Sequence, residues 1–249
     1  MKIIGIIPAR YASTRLPGKP LIDILGKTMV QRVYEQAAKA KNLADVYVAT
    51  DDERIYDHVQ SFGGKAVMTA QEHPSGTDRC REAVQTINTD CDYIINIQGD
   101  EPLIDPQQID LITTILNGTT ELATLIKTAA NYDELANTGE VKVTLNTNNE
   151  ALYFSRSIIP FVKGTIQKNW IMQHTYFLHV GMYAYRTDVL DTITKLPVSS
   201  LEKSESLEQL RWLENGYKIK CVMTDIEAQC VDTQTDLEKV IAILKEREA

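Results

Sequence analysis

The sequence predicts an α/β protein: a mostly parallel sheet flanked by helices, with a mixed, partly antiparallel sheet inserted later in the chain. Three observations carry that prediction. Short apolar runs alternate with amphipathic stretches at βαβ spacing over roughly the first hundred residues. Three of those runs end in polar residues, at Arg10, at Asp51 and at Gln98-Gly99-Asp100-Glu101. From about residue 120 the pattern changes to a hairpin-like pair of runs turned at Thr147-Asn148-Asn149. We read 1–249 as one α/β domain carrying a mixed-sheet insertion at about 120–185.

The elements follow in order. Ile3, Ile4, Ile6 and Ile7 suit a strand buried on both faces, and Pro8, with no N–H for a ladder, ends it. Met29, Val33, Ala37 and Ala40 recur at helical steps, which predicts a helix over 29–41. A strand at 46–50, a helix at 53–62 stopped by Gly63-Gly64, and a brief strand at 65–68 come next. After a polar loop at 70–78, the pattern predicts a helix over 79–87 and a strongly apolar strand at 93–97. Right-handed crossovers place the ends of such strands on one rim of the sheet, so the chemistry is expected there. Strands at 122–126, 141–145 and 151–155 follow, closed by Pro160, with 179–185 extended. A helix over 200–215 with Gly216 as its stop, a strand at 218–223 and a helix at 237–248 complete the chain.

The composition narrows the function. The 249 residues, 43% hydrophobic, supply a full core, while 34 acidic against 26 basic side chains give a net charge of −8. That balance disfavours nucleic acid as a partner, and a phosphate ligand requires a locally built positive field. Cys80, Cys91, Cys221 and Cys230 show neither CxxC nor zinc spacing, which suits indifferent thiols in a reducing cytosol. The apolar run after Met1-Lys2 is too short for a signal peptide or a membrane span, so a cytoplasmic protein without membrane contact is expected.

The first strand delivers a loop of small, hydroxylated and basic residues: Ala9, Arg10, Ala12, Ser13, Thr14, Arg15, Gly18 and Lys19. Three cations and several free backbone N–H groups at a strand's carboxyl end suit a polyphosphate. It is not an ordinary P-loop, because Ser13 stands at the first glycine position and Pro20 replaces the Ser/Thr. Asp100, just past a buried strand, is a natural magnesium ligand. Asp232 has a similar setting, but alone it reads sooner as a helix N-cap or an Asx-turn. Asp51 and Asp52 read as helix-capping. Ser75, Gly76, Thr77, Asp78 and Arg79 precede a helix and suit either a phosphate or sugar contact or plain capping. Alternation puts His179, Gly181, Tyr183 and Tyr185 on one strand face, suited to hydroxyl recognition. Arg156 suits a two-pronged grip on a carboxylate, with a surface ion pair as the plainer reading. Glu205, Glu208 and Gln209 fall on neighbouring turns of the predicted late helix, with Glu205 a solvated charge.

Taken together, IPARYASTRLPGKP at 7–20, HPSGTDR at 73–79, NIQGDEP at 96–102, ALYFSRSIIP at 151–160 and SLEQLRWLENG at 206–216 resemble the bacterial 3-deoxy-manno-octulosonate (Kdo) cytidylyltransferases, or CMP-Kdo synthetases. HVGMYAYR at 179–186 and CVDTQTDLE at 230–238 extend the resemblance over nearly the whole chain in collinear order. The resemblance implies a nucleotide-diphospho-sugar transferase-like fold. The implied reaction is CTP plus Kdo giving CMP-Kdo and diphosphate, for lipopolysaccharide biosynthesis. Pro8, Ala9, Arg10, Ser13, Thr14, Arg15, Lys19, Ser75, Gly76, Thr77, Arg79, Gln98 and Gly99 would hold the nucleotide. Gln98, Arg156, His179, Tyr183, Tyr185, Glu208 and Gln209 would hold the sugar. Lys19, Arg10, Asp100 and Asp232 would carry the chemistry, with Mg2+ on the two aspartates, in a homodimer built from parts of 120–185. One departure stands out: a basic residue common near 70–71 in the family is replaced by Ala70 and Gln71.

The rivals are a sialic-acid or 8-amino-Kdo cytidylyltransferase, a retained-fold glycosyltransferase, and a non-catalytic nucleotide-binding regulator. The sialic-acid enzymes open with a loop like PARGGSKGIPGKN, unlike the one here. Gly99-Asp100-Glu101 matches a DxD metal motif only in part, and the pair Asp100 and Asp232 argues against a regulator.

Overall fold

The isoleucine run at the start of the chain forms β1 (Ile3–Ala9), with residues 3, 4, 6 and 7 all buried. The hairpin β2 (Asp23–Ile24) and β3 (Lys27–Thr28) leads into α1 (Met29–Ala37), capped by the Thr28 hydroxyl. Then come β4 (Asp45–Thr50), α2 (Glu53–Ser61), β5 (Ala66–Met68), α3 (Gly76–Ile87), β6 (Tyr93–Asn96) and α4 (Pro106–Thr113). The computed structural model describes residues 1–12, 16–227 and 229–248. By packing, the chain divides into two compact units, Met1–Thr113 with Ile226–Ala249, and Thr114–Asp225.

In the first unit the strands pair in the order β6-β1-β4-β5, all parallel. The chain steps outward from β1 to β4 to β5, then crosses back to place β6 on the other side of β1. The direction of winding therefore reverses between β1 and β6. In an open parallel sheet the loops beyond those two carboxyl ends diverge to opposite faces and leave a crevice. The cation loop follows β1, and Gln98 to Glu101 follow β6, so topology delivers both to that crevice.

The second unit holds β7 (Leu122–Thr128), α5 (Tyr132–Ala136), β8 (Lys142–Leu145), β9 (Ala151–Ser155), β10 (Phe177–Arg186), α6 (Thr187–Ile193), α7 (Ser200–Glu205), α8 (Gln209–Glu214) and β11 (Ile219–Met223). Its strand order is β11-β7-β10-β8-β9, with β11 parallel to β7 and the other pairs antiparallel. The last helix, α9 (Gln234–Glu248), belongs to the first unit.

Three differences from the sequence pattern have local causes. Helix α3 starts at Gly76, three residues before the predicted 79, because Ser75 caps it by accepting from the Asp78 N–H at 3.2 Å. The predicted helix over 200–215 is two helices, broken where Ser206 takes the left-handed conformation at φ +53°. Helices α4, α5 and α6 escape the sequence reading because they are short, at 8, 5 and 7 residues, although Val189, Leu190 and Ile193 of α6 do recur at helical steps. No helix among the described residues is long and apolar enough to cross a membrane.

Candidate active site

Three segments of the first unit meet at the β1/β6 crevice: Pro8 to Arg10, Gln98 to Asp100, and the turn before α9. With Lys19, His73 to Gly76 and Arg79 they line a cleft of about 280 Å³. The approach of the first two segments depends on Gly99, where a Cβ would lie 2.7 Å from the Pro8 carbonyl oxygen. That spacing is below any normal contact, so the position has no room for a side chain.

Asp232 arrives from far along the sequence through a hydrophobic anchor. Val231 is fully buried with Ile24, Met29, Leu237 and Val240, and its N–H donates to the Asp100 carbonyl at 2.9 Å. Helix α9 is capped by Thr233, whose hydroxyl accepts from the Asp236 N–H, while the Asp236 carboxylate accepts from the Thr233 N–H at 2.9 Å. This reciprocal box corrects the reading of Asp232 as the N-cap and leaves its carboxylate to face the cleft.

Lys19 follows a tight turn. Gly18 sits at φ +66°, its N–H donates to the Tyr11 carbonyl at 3.2 Å, and the Tyr11 ring leaves no space for a Cβ there without adjustment. Lys19 Nζ lies 2.7 Å from Asp100 Oδ2 and 3.1 Å from Asp232 Oδ1. Burial pulls the Lys19 pKa down, but its bonds to Asp100 and then Asp232 outweigh that and hold it above the ordinary lysine value. Lys19 and the acidic pair thus converge on one point.

The aspartates form a hard-oxygen pair suited to a magnesium ion. Cys230 Sγ falls within 4.8 Å of their ligand atoms, a proximity that its spacing in sequence does not signal. Its sulfur is a soft donor on an exposed residue, so the hard oxygens of the two aspartates decide the fit to magnesium. Glu101 is 7% exposed, and burial and then Asp100 push its carboxyl up to about 7.

The wall at 73–79 is built from inside. The Ser75 hydroxyl also donates to Asp78 Oδ2 at 2.6 Å, Thr77 is buried, and His73 pairs with Glu82, which accepts from the Ala70 N–H as well. Arg79 is 4% exposed, donates to Thr69 Oγ1 at 2.6 Å and lies 3.5 Å from Asp51 Oδ1. Asp51 therefore serves Arg79 and is not a cap; Asp52 alone caps α2, accepting from the Arg54 N–H at 3.0 Å. Arg10 is exposed at the cleft. Ser13, Thr14 and Arg15 lie outside the described residues.

The residues read for the sugar, Gln98 apart, belong to the second unit. His179 accepts or donates at Thr124 Oγ1, 3.0 Å away, and its ring meets Phe154 edge-on and Tyr183 at a tilt. Burial pushes its pKa down to about 4. Tyr183 and Tyr185 share its face, as the alternation predicts, because the bulge between Val180 and Tyr183 inserts two residues and preserves parity. Both rings are buried against Trp212. Three of the five N–H groups of Arg156 go to the carbonyls of Glu205, Thr138 and Ser206. Glu205 is not a solvated charge: it accepts from Ser155 Oγ at 2.6 Å and from the Arg156 N–H at 2.9 Å. Gln209 is buried and Glu208 half-buried at the start of α8.

A family model described as cytidylyltransferase matches residues 4–219. A 3-deoxy-manno-octulosonate cytidylyltransferase of Parabacteroides distasonis is 56% identical over 99% of this chain and 100% of its own. Its counterpart in Bacteroides thetaiotaomicron is also 56% identical, over 99% and 100% of the two chains. A solved CMP:2-keto-3-deoxy-manno-octonic acid synthetase complexed with CTP superposes with a TM-score of 0.92 at 44% identity, covering 99% of this chain and 100% of that one.

Proposed function

The chain belongs to the 3-deoxy-manno-octulosonate cytidylyltransferase family, and from that premise we propose how its residues activate the sugar acid. The reaction joins CTP and Kdo to give CMP-Kdo and diphosphate, a step toward lipopolysaccharide. The observation that carries the reading is the meeting of Lys19, Asp100 and Asp232 in a cleft at the winding reversal of a parallel sheet. We assign a cytoplasmic setting on the same grounds, since CTP is a cytoplasmic substrate.

The anomeric hydroxyl attacks the α-phosphorus in line with departing diphosphate, and the protein's contribution is positioning and charge neutralisation. The backbone at Pro8 and Ala9 and the Gln98-Gly99 turn lie against the nucleotide. Arg10 and Lys19 offset charge on the phosphates; Ser13, Thr14 and Arg15 are assigned to the nucleotide by the family resemblance alone. Ser75, Gly76 and Thr77 present the N-terminus of α3, and Arg79 holds that wall through Thr69 and Asp51. Asp100 and Asp232 would hold Mg2+, which neutralises phosphate charge and lowers the pKa of a hydroxyl bound beside it. Gln98, Arg156, His179, Tyr183, Tyr185, Glu208 and Gln209 are assigned to the sugar acid. The buried state of the tyrosines and the carbonyl-bound guanidinium make rigidity their first contribution.

A diphosphate-release assay across CTP, UTP and ATP, with Kdo, 8-amino-Kdo and sialic acid, tests the proposal. Release with CTP and Kdo well above every other pairing supports it; equal release with sialic acid, or a preference for UTP, contradicts it.

A further inference from the structure

The two carboxylates assigned to a divalent cation already hold a monovalent one. Lys19 Nζ is 2.7 Å from one and 3.1 Å from the other, on a side chain only 13% exposed. Its position is set by the backbone. Gly18 is pinned to Tyr11, Pro20 is buried directly after Lys19, and the Leu21 N–H closes the turn onto the Gly18 carbonyl at 2.8 Å. On the other side, Val231 ties Asp232 to Asp100 through a backbone bond of 2.9 Å. Ammonium and carboxylates are thus held together from both ends.

A divalent cation approaching this pair meets a positive charge in contact with both of its ligands. In a partly desolvated cleft such like-charge repulsion is several times its value in water. The ammonium cannot simply withdraw, because a largely buried cation stripped of its partners bears its desolvation cost alone. It moves only toward another anion. We infer that Lys19 is the resident counter-ion of Asp100 and Asp232, and that the pair admits a divalent cation only once an anionic ligand takes over the ammonium. The identity of that ligand as the nucleotide's polyphosphate rests on the function proposed above; the exclusion of the cation by Lys19 does not. By linkage, the ligand and the metal each raise the other's affinity by the same factor.

Mn2+ binding to the full chain without nucleotide, read from the EPR signal of free Mn2+, tests this. Lys19→Met should bind Mn2+ about tenfold tighter than the unsubstituted protein or better, and Lys19→Met combined with Asp100→Asn should lose the gain. Lys19→Gln, run in parallel, supplies the same comparison if the methionine variant does not fold. No gain in Mn2+ affinity on removing the ammonium, including no measurable binding in any variant, overturns the inference, as does a gain that survives Asp100→Asn. Calorimetry of CTP with the unsubstituted protein separates the two readings. Absent CTP binding contradicts the proposed function, while the Mn2+ series judges the counter-ion role.

Discussion

Lys19 and Asp100 meet at 2.7 Å in the cleft, where we propose that they neutralise charge as diphosphate leaves. Lys19→Ala and Asp100→Ala are each expected to lower kcat by about 10²-fold or more, in line with the loss of one oriented charge from a catalytic site. Circular dichroism should show both variants folded, and near-normal kcat in either removes that residue from the mechanism. His179 makes a different prediction. Its folded pKa of about 4 lies below the unfolded value of 6.5, so the unfolded chain binds more protons between them. Its contribution to stability is therefore complete above pH 6.5 and lost as pH falls toward 4. Urea unfolding at pH 7.5 and pH 5 should show His179→Gln losing up to about 2 kcal/mol less than the unsubstituted protein over that interval. An identical loss in both would mean the ring is not held neutral by its surroundings. At this scale the sequence shows residue type but not partner. Asp232 and Asp51 are both carboxylates beside a helix, and only packing sends one to Lys19 and the other to Arg79.

Elements place these side chains through their ends. The box between Thr233 and Asp236 fixes the first turn of α9 and so the direction of Asp232. Thr233→Ala should cost about 1 kcal/mol of stability and lower kcat/KM more than it raises the KM for Kdo. Chemical denaturation and steady-state kinetics check both, and unchanged kinetics would show that Asp232 is held by Val231 alone. The strand and helix rhythm of residues 3–97 is legible because each buried parallel strand is a continuous apolar run bounded by breakers. The late helix pair is not legible, because the break at Ser206 places a residue other than glycine at positive φ with no local signal. The cap at Ser75 is readable as S-x-x-D, but it lies inside a polar stretch that also suits a loop.

For the whole molecule, topology accounts for the cleft: β1 and β6 are adjacent although some ninety residues separate them, and α9 adds a third segment from the end of the chain. That closure was legible only through the collinear motif blocks, since no pattern in residues 226–238 signals a contact with Asp100. The homodimer is proposed on the mixed-sheet segment, where Phe161, Ile166 and Met172 are 73%, 68% and 82% exposed and Phe161 packs edge-on to Trp170. Phe161→Glu with Met172→Glu should shift the mass by light scattering from dimer to monomer; an unchanged dimer places the interface elsewhere. The most direct test of the account is a crystal structure with CTP and Mn2+, using the anomalous signal of the metal. The account predicts a manganese peak bound by Asp100 and Asp232, with Lys19 Nζ moved onto a phosphate oxygen of a triphosphate lying along the β1 and β6 carboxyl ends. A triphosphate bound away from that crevice, or a metal held by other residues, contradicts it.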